Sequence, residues 1–202
     1  MIHPDTEIRF VSEKIGVGVF ARKTIHKGTI VCILDDLDMV FPGEYVRSLD
    51  PLRKEIILKY AYAGGDGSYV LYWDHGRYLN HGAFPNVVTT PYGFDLAARD
   101  ILPGEELRCD YAVFYAGTGG DAPFECATEE GSSRSRVKSD DYLYLYKQWD
   151  QAAREAFARF NLVDQPLRYL IRPDLVEKVS AIAAGLAEPD SYLTLHQKSA
   201  ES

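Results

Sequence analysis

Short β-type runs, each closed within a few residues by glycine, proline or a polar turn, dominate this chain up to about residue 111. Runs at 8–11, 17–21 and 29–34 precede residue 43, and Lys27-Gly28 marks a turn before the third. Further runs follow at 69–73, 87–90, 94–99 and 107–111. Their β-branched and aromatic residues suit a pleated, half-buried surface. One helical insert interrupts them at about 51–60. Pro51 fits a first helical turn, Asp50 can cap it, and Leu52, Ile56 and Tyr60 share a face. Gly64-Gly65-Asp66-Gly67 then breaks the chain. The pattern predicts a compact, β-rich α+β fold without βαβ repeats.

The second half reads differently. Residues 116–139 are rich in glycine and serine and read as flexible loop, with Arg134, Arg136 and Lys138 solvated. From 140 to 202 the expectation is a helical extension. Tyr142, Leu145, Tyr146, Trp149, Ala153, Ala156, Phe157 and Phe160 recur near the helical period. A second helix is predicted from about Pro173, with Leu175, Val179, Ile182 and Leu186 on one face and Gly185 near its end. These stripes either pack on the β core or offer a homodimer surface.

At 202 residues, with 46% hydrophobic and 12% aromatic content, the chain can bury a real core. A net charge of −8 argues against a nucleic-acid partner, which needs Lys/Arg stripes. It reads as ordinary solubility or as an acidic face for lysine-rich protein segments. The N-terminus shows no signal-peptide h-region, and no apolar run spans a bilayer, so no membrane association is expected. Cys32, Cys109 and Cys126 are far apart and odd in number, which suggests a reducing compartment, cytoplasmic or, in a eukaryotic host, nuclear. Without a C-x-x-C pair, no metal site is expected.

Gly16-x-Gly18-x-x-Ala21, with Asp35 and Asp36 downstream, fits a dinucleotide-binding fingerprint. That reading needs a helix directly after the glycines. Thr24, Ile25, Gly28, Thr29, Ile30 and Val31 do not make one. Other motifs lie between Tyr78 and Tyr111: Asn80-His81 followed by Pro85-Asn86, Arg99-Asp100-Ile101, and Gly104-Glu105-Glu106-Leu107 followed by Asp110-Tyr111.

Together with Gly16-Val17-Gly18-Val19-Phe20, these motifs resemble the SET-domain family of protein-lysine methyltransferases. The resemblance implies a SET-type β core over residues 1–115 with a knot-like crossing, an insert at about 41–68 that shapes substrate choice, and S-adenosylmethionine as cofactor. It assigns cofactor contacts to Gly16, Val17, Gly18, Val19, Phe20, Arg77, Asn80, His81 and Tyr111. It makes Tyr111 catalytic and, by a weaker match that core packing equally explains, gives Tyr69 a catalytic and channel role. Cys109, two residues before Tyr111, stands where the family tunes product number, or is simply a buried strand residue. The family's cysteine-rich zinc element after Asp-Tyr is degenerate here: Cys126 stands alone, and no metal is implied. Gly82-Ala83 replaces the Ser-Cys that often follows Asn-His.

The implied activity is methyl transfer to the side-chain amine of lysine in a protein or peptide. The alternative is a noncatalytic SET-fold module that binds a partner peptide. The chemistry has a clear physical requirement. Free lysine ionises near 10.4, so exposing its lone pair at neutral pH costs about 4 kcal/mol. A narrow aromatic channel beside a sulfonium lowers that cost by desolvation and like-charge repulsion.

Overall fold

The structure, a computed structural model, describes residues 1–64, 67–115 and 134–194. The readings of Cys126 and of 116–133 as loop lie outside these residues. Strands β1 (Thr6–Ser12) and β2 (Gly16–Ala21) form an antiparallel hairpin in the register Ile8↔Val19. Strands β3 (Ile30–Ile33), β8 (Val87–Thr89) and β9 (Phe94–Ala97) form an antiparallel sheet with β9 in the centre. In a second three-stranded sheet β6 (Tyr69–Leu71) lies between β4 (Met39–Phe41) and β5 (Tyr62–Ala63). A two-residue parallel pair joins β7 (Asn80–His81) to β10 (Arg108–Cys109). No barrel closes. The fold is a set of small sheets with a few helices.

The insert contains α1 (Gly43–Ser48) and α2 (Pro51–Tyr60). Pro51 occupies the first turn of α2, and the Asp50 carboxylate accepts a hydrogen bond from the Arg53 N–H at 3.1 Å, the expected N-cap. The predicted apolar face is not buried, however. No residue of α2 is, and Leu52 is 67% exposed. The short helix α3 (Ala112–Tyr115) follows the Asp-Tyr motif.

Helix α4 (Tyr142–Phe160) buries the predicted stripe: Trp149, Ala153, Ala156, Phe157 and Phe160. These side chains share one core with Ile30, Phe94 and Leu96 of the β3–β9–β8 sheet. The Phe94 and Phe157 rings meet edge-on at 6.1 Å, and each fully buried phenylalanine contributes roughly 1.5–3 kcal/mol. Gly28, at φ 91°, fixes the approach of the helix: a Cβ there would lie 2.6 Å from the Ala156 carbonyl. Helix α5 (Val176–Ala183) adds Val179 and Ile182 to this core. Pro173–Leu175 forms a 3₁₀ turn, and Leu186, beyond Gly185, is exposed. The second core, with Val19, Ala21, Ile25, Cys32, Ala97 and Cys109, lies on the other side of the sheet. Strand β9 therefore sends Phe94 and Leu96 to one core, and Asp95 and Ala97 to the opposite face. No helix among the described residues is long and apolar enough to cross a membrane.

Candidate active site

The parallel pairing Cys109↔His81 and Arg108↔Asn80 brings two motifs that are far apart in sequence side by side. Asn86, from the Pro-Asn dipeptide, locks this pairing. Its amide donates to the Glu106 carbonyl at 2.8 Å, and its side-chain carbonyl accepts from the Arg108 N–H at 2.9 Å. The Asn80 amide donates to the Val17 carbonyl at 3.1 Å and to Glu106 Oε1 at 2.8 Å. Gly18 makes this triangle possible. A Cβ there would sit 2.2 Å from Glu106 Oε1 and 2.8 Å from Asn80 Nδ2.

His81 Nδ1 accepts from the Tyr111 N–H at 3.2 Å and lies 3.7 Å from Asp110 Oδ1. The Tyr111 hydroxyl donates to the Leu79 carbonyl. Burial pushes that phenol well above its usual pKa, and the negative charge available to Cys109, Tyr115 and Glu106 adds to the effect. Tyr111 thus remains a neutral phenol with its proton committed to a carbonyl.

These residues border a cavity of about 470 Å³. Ser12, Lys14, Arg77, Asn80 and His81 supply polar groups to its wall. Aromatic rings supply much of the rest, in an unbroken series. His81 and Tyr111 centroids lie 5.6 Å apart, Tyr111 and Phe114 6.1 Å, Phe114 and Tyr62 4.8 Å, and Tyr62 and Tyr72 5.6 Å. Burial also raises the Tyr62 and Tyr72 hydroxyls above their usual pKa. Cys109 lies on the wall, its thiol pushed up by burial.

Of the residues predicted from sequence, Arg77, Asn80, His81, Cys109 and Tyr111 meet in this cavity. The others do not. None of Gly16, Val17, Gly18, Val19 and Phe20 lines it. Val19 is core, the Phe20 ring lies under the Arg9 guanidinium at 5.4 Å, and the end of β1 with the turn after it supplies Ser12, Lys14 and Ile15 instead. Gly16 to Ala21 pair with β1, and it is the β1 end of this hairpin that reaches the opening. Tyr69 is also off the wall. It is a half-buried residue of β6 opposite Phe41 and Ala63, and the tyrosines that line the cavity from this side are Tyr62 and Tyr72.

Arg134 is not the solvated residue its loop-like surroundings suggest. Its guanidinium grips Asp110 with two hydrogen bonds, of 2.7 and 2.8 Å, and pairs with Asp141 at 3.1 Å. The Trp149 indole donates to the same carboxylate at 3.3 Å. The residue before Tyr111 is thereby anchored to α4. Asp95 was also missed, and it lines the cavity from β9. Its signal was a carboxylate inside the otherwise apolar run Phe94-Asp95-Leu96-Ala97, buried throughout. Among the described residues, no cluster of His, Cys, Asp and Glu could hold a metal ion.

Residues 16–112 match the family model of the SET domain. The histone-lysine N-methyltransferase SETMAR of Rattus norvegicus is 32% identical over 123 residues, 51% of this chain and 38% of that protein. The Mus musculus protein of the same name is 31% identical over 122 residues, 51% of this chain and 39% of that protein. The chain thus spans about two-fifths of the length of these curated relatives. A solved structure of a candidate histone methyltransferase from Plasmodium falciparum aligns with a TM-score of 0.40 at 22% identity, covering 55% of this chain and 95% of that one. Residues 16–112, just under half of this chain, are thus similar to the SET-domain family.

Proposed function

We propose that the chain transfers a methyl group from S-adenosylmethionine to a lysine side-chain amine of a protein. The observation that carries this reading is the placement of Tyr111. Its neutral hydroxyl is tied to a backbone carbonyl inside a cavity where Asn80, His81 and a series of aromatic rings converge. The names of the curated relatives, both histone-lysine N-methyltransferases, support the same chemistry and make histone tails the first substrates to try.

The residues present fit the cofactor. Lys14, Arg77 and Asn80 offer cations and an amide for a zwitterionic amino-acid group. The faces of Tyr111 and Phe114 suit a sulfonium, and the cavity is of the size that takes a small-molecule cofactor. When bound, S-adenosylmethionine supplies an electrophilic methyl group on a positively charged sulfur. The chain's own task is to position and desolvate the amine. Tyr62, Tyr72 and Phe114 exclude water from an alkyl side chain, which favours the neutral amine over the ammonium. The Tyr111 oxygen, with its proton held by the Leu79 carbonyl, can accept a hydrogen bond from the amine and weak C–H contacts from a polarised methyl. Most of the rate enhancement then comes from alignment.

Incubation of the chain with S-adenosylmethionine and a histone-tail peptide array, read by mass spectrometry, tests the proposal. Methylated lysine that disappears with Tyr111→Phe is the expected result. Absence of transfer to any lysine, with cofactor binding shown by calorimetry, would favour the noncatalytic reading.

A further inference from the structure

Asp95 is a buried carboxylate in the central strand of the β3–β9–β8 sheet, with no cation to balance it among the described residues. Strand alternation turns it away from the core that Phe94 and Leu96 build against α4, and it lines the cavity instead. It is 5% exposed, and no cation pairs with it through an ion pair among the described residues. Each element packed against it presents groups that are neutral at physiological pH. Cys32 of β3 and Thr89 of β8 stand opposite it in the sheet. Tyr62 of β5, Tyr72 just after β6, and Cys109 of β10 lie close enough for its charge to raise their ionisation. The N-terminal ammonium acts on it weakly and is itself paired with Asp35 at 3.1 Å. The Thr89 hydroxyl is a neutral hydrogen-bond partner and leaves the charge uncompensated; a buried carboxylate with no cation beside it, facing an aromatic cavity, is a site for a cation.

We propose that Asp95 is the acceptor for the side-chain ammonium of the substrate: it binds the cation and takes one of its protons. This rests on the lysine-methyltransferase reading and names the group that delivers the neutral amine. An N–H bond of the ammonium breaks and an O–H bond forms on Asp95. The ammonium and carboxylate become a neutral amine and a carboxylic acid, and the proton then passes to water. Burial holds this carboxyl at about 7, far above the ordinary 3.8, so it exchanges a proton near neutral pH. The aspartate is anionic, and able to receive the ammonium, above about pH 7 and neutral below it.

The test needs no turnover. n-Butylamine reproduces the end of a lysine side chain and stays cationic at pH 6 and pH 8, and 1-butanol is its neutral counterpart. NMR titration of both probes into the wild-type chain and Asp95→Asn should give about a tenfold preference for the amine in the wild type at pH 8. The preference should vanish at pH 6, and at both pH values in Asp95→Asn. A wild type with no preference at pH 8, whether it binds both probes or neither, overturns the proposal. So does a preference that neither the variant nor the lower pH removes. The wild-type pH comparison decides the matter if the variant does not fold. Methyl transfer to a lysine peptide is scored separately. Transfer without the preference removes Asp95 from the account, and preference without transfer removes the methyltransferase reading and leaves an ammonium site.

Discussion

Asp95→Asn should make the protein more stable, and the gain should depend on pH. Native Asp95 ionises at about 7, against 3.8 ordinarily, because burial penalises its charged form. The gap is about three pH units, and at about 1.4 kcal/mol each the charged aspartate costs the native state about 4 kcal/mol at pH 8. The sign follows from proton binding. Between about pH 4 and pH 7 the native state holds a proton at this position that the unfolded chain releases, so this group's contribution falls as pH rises. Its cost is absent near pH 4 and complete above about pH 7. Asparagine has nearly the same shape and no charge. Urea unfolding of both proteins at several pH values should therefore show near-equal stability close to pH 4 and an advantage to the variant of about 2–4 kcal/mol at pH 8, the lower figure allowing for the amide's own desolvation. Parallel stability curves from pH 4 to pH 8 would show that Asp95 is not a desolvated carboxylate. A variant less stable at pH 8 would show that the aspartate has a partner worth more than its burial costs.

Other perturbations test other joints of the site. Tyr111→Phe removes one hydroxyl bonded to the Leu79 carbonyl, so it should cost about 1 kcal/mol of stability in urea unfolding. The same variant should slow methyl transfer about a hundredfold or more in single-turnover assays, because an oriented group at the reacting centre is lost. Gly18→Ala must displace Glu106 or Asn80, since its Cβ would fall 2.2 Å from one and 2.8 Å from the other. It should weaken S-adenosylmethionine binding by calorimetry while the chain remains folded by circular dichroism. Arg134→Ala strands the buried Asp110 charge and should destabilise the protein by about 3 kcal/mol in denaturant unfolding, an effect that Asp110→Asn in the same chain should partly relieve. Cys109→Tyr fills part of the cavity wall, and mass spectrometry over a full time course should show fewer methyl groups per lysine than in the wild type.

Local patterns were the most legible. The β runs, the Asp50 cap and the Pro51 start of α2, and the buried stripe of α4 each follow from neighbouring residues, and the structure has them where the sequence puts them. Asn80, His81 and Tyr111 were legible as motifs, although their meeting depends on a two-residue parallel pairing that no local pattern encodes. Long-range placement was less legible. The glycine segment from Gly16 was read as contacting a cofactor; its hairpin with β1 turns Val19 into core, and Ser12 and Lys14 line the cavity. Tyr69 was singled out among many tyrosines, while strand register put Tyr62 and Tyr72 on the wall. Arg134 lies in a polar stretch, and only the fold brings it to Asp110. Leu52 and Ile56 have helical spacing but no core to meet, because periodicity predicts a face and not what covers it.

The central claim is that this cavity brings a lysine amine to a methyl donor beside Tyr111. It is tested most directly by incubating the wild-type chain and Tyr111→Phe with S-adenosylmethionine carrying a labelled methyl group and a lysine-rich histone-tail peptide, with site assignment by tandem mass spectrometry. The account predicts label on a lysine side-chain nitrogen with the wild type and almost none with Tyr111→Phe at equal cofactor occupancy. Label on a residue other than lysine, or equal labelling by the two proteins, would contradict it.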